Sequence, residues 1–161
     1  ELLCRIPGVR VLPRDPRHSQ RSFFGYVFAI NPSLFGFDNR VVCHLLNSEG
    51  IPCWKGYDPL HASRMFCPQR SALPIARAAP LEFAQLRLAN SEAAGKEGVW
   101  LRENVLRDGR TGVELVAEAL AKILRRRSRV VPCQQRFTSE WKAPEERTHV
   151  ARFPVTRAPA V

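Results

Sequence analysis

The chain has little that would anchor it in a membrane, cross-link it or give it a metal. No apolar run approaches the ~20 residues of a membrane-spanning helix, and no secretory leader is visible. The five cysteines, Cys4, Cys43, Cys53, Cys67 and Cys133, are odd in number, widely spaced and without a CxxC pair. That pattern argues against a disulfide framework or a zinc site and for reduced thiols in a cytoplasmic setting. Lysine is scarce, with only Lys55, Lys96, Lys122 and Lys142. Acidic residues are also in short supply, 15 against 25 basic ones, for a net charge of +10. Such a charge invites a nucleic-acid reading. Its distribution weakens that reading: residues 125–161 hold nine basic and three acidic side chains, and residues 1–124 hold sixteen and twelve. Arg125, Arg126, Arg127 and Arg129 sit where a helix ends, a place that favours cations through the helix dipole. No zinc finger or RNA-stacking motif accompanies them. The one histidine of the 55–61 loop, His61, is not part of a catalytic triad with a Cys or Ser nucleophile.

What is present reads as one globular domain. The 161 residues allow a modest core, and 45% hydrophobic content is ordinary. Residues 6–12 have the composition of a short strand. Residues 22–30, SFFGYVFAI, alternate aromatic and small side chains and form the strongest strand. Phe23, Phe24, Tyr26 and Phe28 cannot all point one way, so some aromatic surface is expected outside. Asn31-Pro32 ends the strand. Residues 67–89 read as a loop with one helical turn. Asn90 is expected to cap a short helix through Lys96, with Glu92 in its first turn. Residues 98–101 form a strand. Thr111 and Glu114 read as a capping box opening a last helix with an apolar stripe of Val113, Val116, Ala117, Leu120, Ile123 and Leu124. Beyond about Ser128 the pattern stops, and the proline-interrupted tail is expected to be disordered.

The densest information lies in residues 38–66. Asp38 caps a helix whose face carries Val41, Val42, Leu45 and Leu46. Gly50 stops that helix. A short strand follows at 51–54, with Pro52 marking an edge. A polar loop then gathers Lys55, Gly56, Tyr57, Asp58, Pro59 and His61. Taken singly, each loop residue has an ordinary reading: a solvated histidine, a half-buried tyrosine, a surface lysine.

Together, the helix and the run SEGIPC–x3–GYDPLH–x4–F resemble the small domain of the DegT/DnrJ/EryC1/StrS family. Those proteins are aminotransferases dependent on pyridoxal 5'-phosphate (PLP). Three further segments are similar in the same order: NSEAAGKEGVWLRENVL at 90–106, the helix at 111–124 and the aromatic strand at 22–30. The resemblance covers about residues 5–125 and is nearest to the branch acting in antibiotic-sugar and aminocyclitol biosynthesis. It implies transfer of an amino group from an amino-acid donor to a keto-sugar or keto-cyclitol, in a homodimer. It implies Tyr57 and His61 as substrate contacts, with Lys55 and Arg64 as further candidates for anionic groups. Gly56 departs from the family, which often has histidine there. The family's large domain, with its Schiff-base lysine and PLP-holding residues, has no counterpart here. The chain starts at Glu1, so it is expected to be a fragment that cannot transaminate alone.

The expected fold is α+β. A small antiparallel sheet of about three strands (22–30, 51–54 and 98–101) carries helices on one face, as in the small domain of the fold type I PLP enzymes. Residues 1–21 form a leading segment, 22–126 the domain and 127–161 a basic tail. No catalytic, cofactor or metal ligand is expected within the chain. The alternative is a basic module that binds nucleic acid or another partner through its tail.

Overall fold

A computed structural model describes residues 2–13, 15–17, 19, 24–63, 68–70, 72–78 and 85–133. Its architecture is α+β, with one open antiparallel sheet of four strands in the order β1-β2-β4-β3. The strands are β1 (Val9–Val11), β2 (Gly25–Ile30), β3 (Cys53–Trp54) and β4 (Gly98–Arg102). The helices are α1 (Pro32–Phe35), α2 (Asn39–Ser48), α3 (Pro74–Arg77), α4 (Ala89–Glu97), α5 (Glu103–Arg107), α6 (Gly109–Arg125) and α7 (Arg127–Val130).

The three expected strands pair as neighbours. Phe28 opposes Val99, Tyr26 opposes Leu101, and Cys53 opposes Leu101 from the other side. The fourth strand corrects the count of three: Val9 opposes Ile30 and Val11 opposes Phe28. The pleat sorts the side chains. Phe28, Ile30, Val99, Leu101 and Cys53 are buried on one face, where Val41, Val42 and Leu46 of α2 and Val116, Leu120 and Ile123 of α6 complete the core. Leu3 and Ile6 of the leading segment join this core, because β1 carries that segment onto the sheet. The alternate positions Val27, Trp54, Trp100 and Arg102 occupy the opposite face and are only partly buried.

Local rules explain most boundaries. Asp38 caps α2, its carboxylate accepting from the Arg40 and Val41 amides at 3.0 and 3.4 Å. Gly50 follows α2 with φ +82°, the left-handed conformation that glycine adopts without strain. The described part of residues 67–89 holds two short helical turns rather than the one expected, a 3-10 turn at Pro68–Arg70 and α3. Two expected caps are absent. α6 begins at Gly109, ahead of Thr111, and Glu114 pairs with Arg110 at 2.7 Å instead of closing a capping box. The early start lets Gly112 sit against α5, where a Cβ would come within 2.1 Å of the Val105 carbonyl oxygen. α4 begins at Ala89 with Leu88 as its cap, and Glu92 accepts from the Leu88 amide at 3.2 Å. The tail opens with structure rather than disorder: α7 and a turn at Val131–Cys133 follow α6, and Val130 packs on the core. The rest of the tail lies outside the described residues.

Candidate functional site

The 55–61 loop leaves β3 and runs toward α4. Asn39, the first residue of α2, holds its two ends of travel together. This side chain is only 1% exposed, and its Nδ2 donates to the Lys55, Gly95 and Gly98 carbonyls at 3.2, 3.0 and 2.7 Å. One amide thus ties α2 to the start of the loop, the end of α4 and the start of β4. Its Oδ1 is buried without a hydrogen-bond partner among the described residues.

The sequence-predicted residues divide. Lys55 is largely covered, and its Nζ lies 2.5 Å from Asp58 Oδ1. Arg40 approaches the same oxygen at 3.7 Å. Gly56 turns the chain at φ +74°, and a Cβ there would meet Trp100 Nε1 at 2.5 Å. Tyr57 is 82% exposed and meets Trp100 edge to face at 6.1 Å between centroids. His61 has different neighbours. It is buried, not solvated, in a short turn at Leu60–Ala62, with Nε2 3.5 Å from Glu92 Oε1 and Nδ1 unpartnered. Pro59 lies between them and packs near Gly95, where a Cβ would meet Pro59 Cδ at 2.9 Å. Tyr57 and His61 therefore belong to different surroundings, the aromatic outer face and α4. Arg64 lies outside the described residues.

Two features emerge that the sequence reading did not single out. The first is a cavity of about 290 Å³ between α2, α4 and the loop, lined by Asp38, Asn39, Arg40, Asp58, Glu92 and Lys96 among others. A signal for Asn39 existed: positions 39, 42 and 46 share a helical face. The second is the outer face of the sheet. The Trp54 and Trp100 rings lie 5.7 Å apart at 36°, and Arg102 stands 5.8 Å over Trp54. Gly25 leaves room beneath them, since its Cβ would touch both indoles. Phe24, 80% exposed, precedes it, so part of the expected outside aromatic surface is present.

Among the described residues no group of His, Cys, Asp and Glu could hold a metal ion, and no helix is long and apolar enough to cross a membrane. Cys4, Cys43 and Cys53 are free thiols. The Cys53 hydrogen bond, then burial, push the Cys43 thiol well above the ordinary range. No protein-family model matches the chain.

Proposed function

We propose that this chain is the small, lid-forming domain of a PLP-dependent aminotransferase that delivers an amino group from an amino acid to a keto-sugar or keto-cyclitol. One observation carries the reading. Strands β2, β4 and β3, which hold three of the segments that resemble the family, are adjacent, and the 55–61 loop emerges from their edge. The partly apolar outer face, with Val27, Trp54 and Trp100, suits a surface leaning on a larger domain.

The described residues do not fit PLP itself. Lys55 and Lys122 are engaged by Asp58 and Glu49. Lys96 stands at a cavity whose carboxylates oppose a phosphate and whose lining includes no aromatic ring to stack on. We assign the cofactor and its Schiff-base lysine to a separate large domain, and no chemical step is placed on the described residues. Its part is substrate-side contact and closure, with Tyr57 the accessible candidate and His61 positioning the loop against Glu92.

The test is expression of the protein with whatever coding sequence precedes Glu1 in frame. The expected result is the visible absorbance of a PLP Schiff base and amino transfer from glutamate or glutamine to a keto-cyclitol. The present chain, mixed with PLP and borohydride, is expected to give no stoichiometric pyridoxyl adduct. A single-site adduct here, or a longer protein without cofactor or transfer, overturns the reading.

One observation favours a second reading. Sheet-borne indoles beside Arg102 on a chain of charge +10 offer stacking and cation contacts to single-stranded nucleic acid. Quenching of tryptophan fluorescence by oligothymidylate, relieved by salt, would support it. No quenching at low salt dismisses it.

A further inference from the structure

Two cysteines ten positions apart in sequence meet in the core. Cys43 lies on the buried face of α2, and Cys53 opens β3 at the edge of the sheet. Both are fully buried, and both are free thiols. The Cys53 thiol reaches the Cys43 carbonyl at 3.6 Å and shares a hydrogen bond with the Cys43 thiol. Asn47, one helical turn after Cys43, holds the pair from the side. Its Nδ2 donates to the Cys43 carbonyl at 2.7 Å and to the Cys53 carbonyl at 2.9 Å, and lies 3.5 Å from Cys53 Sγ. The turn between the two elements is closed as well, the Ile51 amide donating to the Leu46 carbonyl at 2.9 Å. The backbones that carry the two sulfurs are therefore tied to each other independently of any bond between the thiols.

We propose that Cys43 and Cys53 form a reversible disulfide site that clasps α2 to β3 under oxidising conditions. The co-reactant is a low-molecular-weight disulfide, with oxidised glutathione as the probe. One protein thiol gives up its proton and attacks that disulfide, which leaves a mixed disulfide and releases one glutathione thiol. The second protein thiol then displaces the other glutathione. In all, the protein thiols lose two electrons and two protons, and both pass to the two glutathione molecules released. Burial sets the rate, because a covered thiol does not react where it sits. Cys53 is the sulfur that local opening uncovers. β3 is two residues long and pairs with β4 alone among the described residues, and Asn47, which lies against the sulfur, is itself exposed. β3 leads directly into the 55–61 loop, so the cross-link fixes the strand from which that loop emerges. The site stands apart from the aminotransferase reading and fails apart from it, since neither PLP nor a keto substrate enters the test.

The test replaces Cys4, Cys67 and Cys133 by serine and equilibrates the chain with mixtures of reduced and oxidised glutathione, folded and in denaturing urea, starting from both redox states. The folded chain is expected to become lighter by two hydrogens, with the peptides bearing Cys43 and Cys53 linked. Half-oxidation is expected at a ratio of squared reduced to oxidised glutathione at least about tenfold higher for the folded chain than for the unfolded one. By linkage the same tenfold, about 1.4 kcal/mol, raises the melting temperature of the oxidised chain by about 3–6 °C. Cys43→Val is expected to remove both effects. If the triple serine variant does not fold, the wild-type chain with its linked peptides mapped carries the same measurement. Equal ratios for the folded and unfolded chains overturn the proposal. So do thiols that stay reduced in the folded chain at every ratio, glutathione retained on either sulfur as the end product, or a melting temperature that oxidation leaves unchanged or lowers.

Discussion

Asn39→Ala probes the contact that joins the most elements for its size. The substitution removes one amide that donates to three carbonyls, on Lys55, Gly95 and Gly98. An NH2 group has two hydrogens, so the loss amounts to about two full hydrogen bonds rather than three. Each carbonyl left buried and unpaired costs about 1–3 kcal/mol. Removing the unpartnered Oδ1 returns part of that, because it too was buried without a donor. The expected net loss is about 2–4 kcal/mol. Urea denaturation followed by tryptophan fluorescence reads it directly, since Trp54 ends β3 next to Lys55 and Trp100 lies in β4 with Gly98, beside two of the backbones Asn39 ties to α2. A lowered midpoint with an unchanged slope signals a stability change alone. At about 2–4 °C per kcal/mol for a chain of this size, the melting temperature should fall by roughly 4–16 °C. A loss under about 1 kcal/mol would mean that water replaces the amide, and the account of Asn39 as the tie would be refuted.

Three further outcomes follow from other contacts. Gly56→Ala is expected to lose about 1–2 kcal/mol for the left-handed backbone and a further 1–3 for overpacking against Trp100, with an altered near-ultraviolet dichroism; unchanged stability and spectrum would count against the turn. The raised Cys43 thiol keeps its proton when the unfolded chain, above about pH 8.5, begins to lose it, so stability falls as pH rises, by up to about 1.36 kcal/mol per unit. Urea midpoints between pH 8 and 10 should therefore fall more steeply for the wild type than for Cys43→Val, and parallel profiles contradict the assignment. Lys122→Met removes a half-exposed pair that bridges α6 to Glu49 at 2.7 Å, and less than about 1 kcal/mol should be lost; more than twice that would show the pair acting as a strut.

Much of this fold was legible as pattern. Apolar spacing located α2 and α6, alternation located β2, and Asp38 and Gly50 marked the ends of α2, because periodicity and capping are local properties. The failures were of another kind. Thr111 and Glu114 satisfied the capping-box pattern, yet α6 starts earlier, where Gly112 lets it close on α5. β1 lies inside the 6–12 segment read as a short strand, but its place in the sheet was not legible, because its pairing with Ile30 and Phe28 is a long-range contact. His61 reads as a solvated loop residue and is buried, because Asn39 draws the loop start, α4 and β4 together.

What the linear order of residues determined alone was which segments are helical or extended and which of their faces are apolar. Charge concentrated in the tail was equally readable there. Tertiary structure alone decided that Tyr57 and His61, four positions apart, have different surroundings, and that Asn39 and Lys96, far apart in sequence, line one cavity. The physical reason is range. Dihedral preference and periodicity act over a few residues, whereas the Asn39 bonds span 16, 56 and 59 positions and exist only once the sheet has brought those backbones together.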